Sequence, residues 1–263
     1  MPTAEISPLA LRQRIRNGQH TANTSGYAAG FVQCNLVILP KDWADEFLQF
    51  CQLNPKPCPL VGMASQAGDY MLPDLGEDID IRSDISGYRI FEYGELKASV
   101  ADIKDYWRDD LVSFLLGCSF SFEQSLIAEG LEIRNLSQNL NVPMYRTDID
   151  CRPCGRFSGK MVVSMRPFLA ADAIRAVEIS SRFPSVHGAP IHLGDPALIG
   201  INDINQPDFG DTVNINPNEL PVFWACGVTP QVILEQAKPS FCITHEPGCM
   251  LVTDIPNSQL SNL

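Results

Sequence analysis

Long apolar runs are missing from this chain, and so are several common catalytic motifs. No stretch of 18 or more apolar residues occurs, and the opening MPTAEISPLALRQRIRNGQ has no continuous apolar segment like that of a secretory signal. GxGxxG, GxxxxGK[ST], GxSxG and HExxH are also absent. Membrane-spanning and secreted proteins, nucleotide-binding proteins, α/β-hydrolases and zinc proteases therefore lose their usual support. We expect a soluble, cytoplasmic protein.

Positive charge is scarce. Lysine and arginine number 19 against 31 aspartates and glutamates, which gives a formal net charge of -12, and only four histidines are present. Such a chain repels nucleic acid and anionic lipid at long range, so we expect neither as a partner. An acidic protein that binds a small anion must concentrate arginines, histidines or helix N-termini in one place. The search for a site therefore begins with local clusters of these groups.

The nine cysteines are an odd number in a chain of 263 residues, which is too long to need disulfide staples. This count predicts a reducing compartment and free, mostly buried thiols. Cys151 and Cys154 form a CxxC pair, but no second pair or nearby pair of histidines completes a tetrahedral zinc site. We therefore predict no metal site.

Hydrophobic spacing predicts strands that alternate with helices, which is typical of an α/β fold. We predict a helix that begins at Ser7-Pro8, a buried strand over 31–39 and a helix over 41–51. A hairpin over 88–100 is expected to turn at Gly94.

Three further segments complete this prediction. An amphipathic helix is expected over 102–116, and a second helix is expected to begin at Ser121, with Gln124 completing a capping box. The apolar stretch 221–226 predicts a strand that returns to the main sheet, followed by a helix capped by Thr229.

Polar residues at breaks between apolar segments are the candidates for binding a carboxylate. Arg166 ends an apolar strand just before a helix, where a guanidinium must reach either solvent or an anion. The other candidates are backbone and hydroxyl donors at helix starts and arginines in a proline-punctuated loop, namely Ser119, Thr229, Arg146 and Arg152. Thr229 as a simple helix cap and the loop arginines as ordinary surface charge remain alternatives.

The candidates for proton transfer are histidines and one cysteine. His187 and His192 lie in HGAPIHLGD, where the bends at Gly188 and Pro190 could turn both rings toward one cavity, with Asp195 orienting one ring. If one ring is the acid and the other the base, the pH profile should be bell-shaped near 6.5. The remaining candidates are His245 at a strand end and Cys118 in a tight turn. Structural histidines and a buried thiol are the alternatives.

Several runs of sequence carry a specific resemblance. The chain resembles the D-glutamate cyclase family, a family of hydro-lyases, from about Gly26 to Asn257. The runs that carry it are NLVILP, FCQLNPKPCPL, WRDDLVSFLLGCSFSFE, NVPMYRT, VSMRP, DAIRAVEISSRFPSVHGAPIHLGDPALIGI, PDFGD, PVFWACGVTPQ and KPSFCITHEPGCMLVTD.

The resemblance implies a lyase that interconverts D-glutamate and 5-oxo-D-proline plus water, without an organic cofactor. Its substrate would be a small carboxylate or amino acid. The implied fold is a two-part α/β structure, with a three-layer sandwich and a smaller two-layer lobe. We expect the larger lobe over 1–145 plus 219–263 and the smaller, inserted lobe over 146–218. Whether the chain forms a homo-oligomer is left open.

Two other functions compete with this one at the level of sequence. Cys118 could serve as the nucleophile of an amidohydrolase that acts on a small lactam or amide. A binder of small carboxylates without catalysis is the second alternative.

Overall fold

The protein folds into two antiparallel sheets with helices packed against them. The computed structural model describes residues 6–261. Its strands are β1 (Phe31–Pro40), β2 (Leu60–Met63), β3 (Tyr88–Glu92), β4 (Glu95–Val100), β5 (Leu111–Gly117), β6 (Met144–Asp150), β7 (Lys160–Leu169), β8 (His192–Leu193), β9 (Glu219–Ala225), β10 (Cys242–His245) and β11 (Leu251–Pro256). Its α-helices are α1 (Pro8–Arg16), α2 (Lys41–Leu53), α3 (Phe120–Ala128), α4 (Arg134–Ser137), α5 (Ala170–Ser181) and α6 (Thr229–Ala237). This mixed content in two sheets confirms the predicted α/β class.

The first sheet is built around β1. Its order is β2-β5-β1-β10-β3-β4, and β11 also pairs with β1. Nine of the ten residues of β1 are buried, because the sheet is covered on both faces. Leu36 and Ile38 pack on one face against the irregular segment that follows β2, whereas Val37 and Leu39 pack against α2 and α6 on the other. The near-continuous apolar run of β1 is typical of such a doubly covered strand.

The second sheet has the order β6-β7-β9-β8. Trp224 of β9 packs with Phe122 of α3 and Ala173 of α5 on one face. Met165 and Phe223 face the opposite side, where they pack with residues of the 191–215 segment. The two faces of this sheet therefore hold separate apolar clusters. Polar side chains on opposite faces are separated by the sheet and cannot contact one another.

Local signals in the sequence place several elements correctly. Ser7 caps α1 by accepting a hydrogen bond from the Ala10 N–H at 3.3 Å. The hairpin of β3 and β4 turns at Gly94, whose φ of 81° lies in the left-handed region that favours glycine. In contrast, the capping box predicted at Ser121 is wrong. The helix begins at Phe120 after Ser119, and the buried Ser121 hydroxyl has no hydrogen-bond partner.

Two predictions about strands are corrected by the pairing. The helix predicted over 102–116 is wrong, since Leu111–Gly117 is strand β5 between β1 and β2. The stretch 221–226 does form a strand, but β9 pairs with β7 and β8 in the second sheet, and the chain returns to the first sheet only at β10. The lobe limits 1–145 plus 219–263 and 146–218 remain a prediction.

The cysteines form no disulfides. All nine cysteines are free thiols; six are buried and Cys118, Cys154 and Cys226 are half-buried. Across residues 6–261, none of the helices has the length and apolar character that a bilayer crossing requires.

Candidate active site

A buried ion pair lies where the two sheets approach one another. Arg166 of β7 is paired in register with Val222, so its side chain lies on the face of the second sheet covered by α3 and α5. There it bonds to the carboxylate of Glu123 on α3. Arg166 is fully buried and Glu123 is 3% exposed. Burying both charges requires that they be paired and hydrogen-bonded.

Hydroxyl groups complete the polar contacts of this pair. The Arg166 Nη1 donates to Ser164 Oγ at 3.0 Å, and Nη2 donates to Ser119 Oγ at 3.1 Å. Ser119 in turn donates to Glu123 Oε1 at 3.1 Å. The third guanidinium nitrogen, Nε, is buried and has no hydrogen-bond partner. One donor of the arginine therefore remains unsatisfied.

Aromatic rings surround the guanidinium. Its central carbon lies 5.5 Å from the ring centre of Phe122 and 5.4 Å from that of Trp224. These apolar faces exclude water and attract the cation. The interactions of Arg166 with an oxygen acceptor are consequently stronger here than they would be on an exposed surface.

His187 provides a second buried polar atom without a partner. Its Nδ1 donates to the Lys56 carbonyl oxygen at 2.7 Å, which leaves the lone pair on Nε2, a buried atom without a partner. Burial lowers the pKa of His187 to about 4, and the charge of Arg166 lowers it further, so the ring is neutral at pH 7. The residue also has a φ of 81°, a strained conformation for a side chain other than glycine.

Cys118 and Cys226 add two half-buried thiols to the cluster. Burial raises the pKa of Cys118 to about 12, and the negative charge of Glu123 also raises it. Burial raises the pKa of Cys226 to about 11, although the positive charge of Arg166 opposes this shift. Both groups are therefore protonated thiols at neutral pH.

The comparisons with known proteins agree with one another. The family model described as D-glutamate cyclase matches residues 112–254. A “putative hydro-lyase” of Xanthobacter autotrophicus is 58% identical over 257 residues, covering 98% of this chain and 93% of that protein. A protein of Rhizobium johnstonii with the same description is 60% identical over 254 residues, covering 97% and 94%. The chain belongs to the D-glutamate cyclase family. It is thus a lyase.

One solved structure aligns over most of the chain. The nitrogen repressor-like protein MJ0159 from Methanococcus jannaschii covers 90% of this chain and 92% of its own, with a TM-score of 0.36 and 9% identity. A score this low carries no argument about fold or function, so the family assignment stands on the sequence matches.

The two histidines predicted as an acid–base pair do not share a cavity. His192 pairs with Phe223 and its ring lies 5.7 Å from the Phe223 ring, on the face of the second sheet opposite Arg166. His187 directly follows Val186, which packs with Phe122 and Trp224 on the face that holds Arg166. The second sheet therefore lies between the two rings. The prediction that both rings face one cavity is wrong.

The carboxylate of Asp195 does not orient a histidine either. His192 Nε2 lies 2.7 Å from the main-chain oxygen of Asp195, whereas the Asp195 carboxylate accepts from the Ala197 N–H at 3.0 Å. Asp195 is the cap of the short 3-10 helix Pro196–Ile199. Its predicted role as an orienting residue is therefore replaced by a capping role.

Three of the predicted binding residues lie outside the cluster. Arg146 is about half exposed and approaches the surface carboxylates Asp208 and Glu235 at 3.9 and 4.0 Å. Arg152 is exposed, and its main chain exchanges two hydrogen bonds with Asn54. Thr229 is buried, accepts from the Val162 N–H and donates to the Cys226 carbonyl, so it fastens α6 to β7.

His245 lies in the first sheet, where its Nδ1 accepts from the Leu36 N–H at 3.1 Å. Burial lowers its pKa to about 4, and the charge of Arg89 lowers it further. Within the described part of the chain, no group of three or more histidine, cysteine, aspartate or glutamate side chains could hold a metal ion.

The sequence analysis missed Glu123 and Cys226 as members of the site. Glu123 follows Ser119 by four residues, a spacing that brings two helical side chains together, and this signal was available in GCSFSFE. Cys226 follows a buried strand and precedes a helix, as Cys118 does. Their contact with residues of another sheet could not be read from spacing.

Proposed function

We propose that the protein interconverts D-glutamate and 5-oxo-D-proline with loss or gain of water. The observation that carries this proposal is a buried donor and a buried acceptor, both without partners, in one cluster. They are Arg166 Nε and His187 Nε2. An unsatisfied buried polar group costs about 1–3 kcal/mol, so a ligand that satisfies both is favoured.

An α-amino acid matches this pair of atoms. Its carboxylate can accept from Arg166 Nε–H, and its ammonium, on the same carbon, can donate to His187 Nε2. The α-carboxylate would bind a guanidinium already held in place by Ser119 and Ser164. The chain as a whole is acidic and would repel a carboxylate, so a cationic donor such as Arg166 is needed to bind one.

Proton bookkeeping allows one histidine to serve the cyclisation. The ammonium must lose two protons to become a lactam N–H, and the departing carboxyl oxygen needs two protons to leave as water. We propose that neutral His187 takes the two protons from the nitrogen one after the other and delivers each in turn to the departing carboxyl oxygen, which leaves as water. A protonated ring with a pKa of about 4 is a strong donor for that step.

Glu123 and Ser119 are proposed as positioning residues. Glu123 fixes the guanidinium of Arg166, and Ser119 bridges the two side chains. Because the amine and the side-chain carboxyl belong to one molecule, a site that holds D-glutamate curled gains from effective molarities of about 10⁵ M or more.

The assay for this function follows both directions. The protein is incubated with D-glutamate or with 5-oxo-D-proline, and the products are separated by chiral chromatography. Appearance of the other compound, with equal final ratios from both sides, would support the proposal. Absence of turnover from either side would refute it. From the nine free thiols we further propose that the protein works in a reducing cytoplasm.

Replacing Arg166 with lysine is expected to raise KM more than it lowers kcat. Lysine keeps a positive charge for Glu123, but it loses the planar fork and the Nε–H that we assign to the substrate carboxylate. Steady-state kinetics in both directions measure the split. Lys160→Arg is the matched control, since Lys160 bonds Asp148 and Asp150 on the surface. Unchanged kinetics in Arg166→Lys would remove Arg166 from the binding site.

A further inference from the structure

Cys118 and Cys226 occupy equivalent places in the two sheets. Cys118 follows β5 and precedes α3, while Cys226 follows β9 and precedes α6. Each thiol accepts a hydrogen bond from the backbone N–H two residues further along, from Phe120 in one case and Val228 in the other. Each sheet therefore places one half-buried cysteine at the start of a helix.

Asn35 connects the two cysteine-bearing turns. Its Nδ2 donates to the Gly117 carbonyl at 3.1 Å, directly before Cys118. The same nitrogen lies so close to Gly227, directly after Cys226, that a Cβ at position 227 would collide with it. The turns thus face each other across one amide side chain.

The Cys118 turn is joined to the charged pair of the candidate active site. Cys118 directly precedes Ser119, whose hydroxyl bonds to both Glu123 and Arg166, and Asn35 lies between this turn and that of Cys226. The unpartnered Arg166 Nε and His187 Nε2 belong to the same cluster. A substrate whose α-carboxylate and amine are bound by these two atoms would have its Cα beside the two thiols.

We propose that Cys118 and Cys226 are a two-thiol acid–base pair that exchanges the Cα proton of the bound substrate and so interconverts its two enantiomers. The substrate class is an α-amino acid or its cyclic 5-oxo derivative. This inference takes the substrate from the proposed function and adds a second reaction, racemisation, at the same site. It assigns chemistry to Cys226, which the cyclisation does not use.

The proton balance of this reaction is closed. One cysteine, as a thiolate, takes the Cα proton and becomes a thiol, and the electron pair of the broken C–H bond stays on the substrate as a carbanion. The Arg166 guanidinium stabilises the charge that spreads into the carboxylate. The other cysteine, as a thiol, then gives its proton to the opposite side of Cα and becomes a thiolate. No oxidant or reductant is needed.

The titration of the thiols gives this reaction a characteristic pH dependence. Cys118 and Cys226 have pKa values of about 12 and 11, raised by burial, and the groups that face them are Glu123, Arg166 and the buried Cys34. The reactive thiolate is therefore a minor species at pH 7. We expect the exchange rate to rise about tenfold per pH unit between pH 7 and 10.

The test is proton exchange in D₂O with the full-length protein under reducing conditions. 5-Oxo-D-proline or D-glutamate is added, deuterium at Cα is followed by ¹H NMR, and cyclisation and chirality are followed by chiral chromatography. Wild type is expected to incorporate deuterium at Cα and to form the L enantiomer. Cys118→Ser and Cys226→Ser should each slow exchange at least about 100-fold. Cys154→Ser, half-buried beside Gln49, is the matched control with unchanged exchange.

The two readouts separate this inference from the proposed function. Cyclisation with full retention of the Cα proton would overturn the two-thiol pair and leave the cyclase proposal standing. Exchange without cyclisation would support the pair and overturn the cyclase proposal. Absence of both reactions would overturn both. Exchange that continues at the wild-type rate in folded Cys118→Ser and Cys226→Ser would also overturn the pair, and a serine variant that fails to fold is replaced by the corresponding alanine variant.

Discussion

Replacing Arg166 with methionine is expected to lower the free energy of unfolding by about 3–5 kcal/mol. The Glu123 carboxylate is 3% exposed and would keep a charge in an apolar environment without its partner. The rings of Phe122 and Trp224 beside the guanidinium offer this carboxylate no hydrogen-bond donor in its place. Urea denaturation, read by circular dichroism and by the fluorescence of Trp224, measures the loss.

Two variants control this prediction. The double variant Arg166→Met with Glu123→Gln removes both charges, so it should be more stable than the single variant by about 2 kcal/mol or more. Arg175 pairs with Asp172 on the surface of α5, and Arg175→Met should change stability by less than about 0.5 kcal/mol. Equal losses in the single and double Arg166 variants would show that packing, and not the uncompensated carboxylate, limits stability at this position.

Acid is expected to destabilise the protein through two buried histidines. The folded protein binds a proton at His187 and at His245 only near pH 4, whereas the unfolded chain binds it near 6.5. Unfolding therefore takes up protons between these values, and stability falls as the pH drops through that window. Each histidine contributes a loss of about 3 kcal/mol by pH 4. The predicted bell centred near 6.5 is accordingly replaced by activity that declines only toward pH 4.

Single variants assign these losses. Between pH 7 and 4.5, His187→Gln and His245→Gln should each show a smaller fall in unfolding free energy than wild type, by about 2–3 kcal/mol. His192→Gln, at a half-buried ring bonded to a main-chain oxygen, is the control and should follow wild type. An unchanged pH dependence in His187→Gln would mean that this ring titrates normally. The His187 ring would then be partly protonated near neutral pH, and its Nε2 would not always be free to accept a hydrogen bond.

Elements with strong local signals were predictable from the sequence. The strand β1 and the helix α2 follow from an apolar run and from helical spacing of aromatic residues, and the β3–β4 turn follows from Gly94. The stretch LVSFLLG was predicted as a helix because a short, continuous apolar run has no period of its own. Long-range contacts decide that this stretch pairs between β1 and β2 and that β9 belongs to the second sheet.

The residues of the candidate site were also only partly predictable from the sequence. Arg166 was identifiable because an arginine within an apolar strand requires a partner, but the sequence could not show that this partner is Glu123. His187 and His192 were paired because they are close in sequence. The strand register puts His192 on one face of the second sheet, whereas His187 follows Val186 on the face that holds Arg166. Membership of a site that draws on β7, β9, α3 and the segments between elements depends on topology, which residue spacing does not encode.

The central position of β1 delays the folding of the chain during synthesis. β1 is among the first segments to be made, yet its partner β11 is among the last, and Thr253 Oγ1 bonds to the Val32 carbonyl across 221 residues. At about 5–20 residues per second, the ribosome needs roughly 10–45 s to supply that partner. During this interval the apolar β1 has an unpaired edge. The nascent chain is therefore exposed to aggregation, and a chain that stops before β11 would keep that edge open.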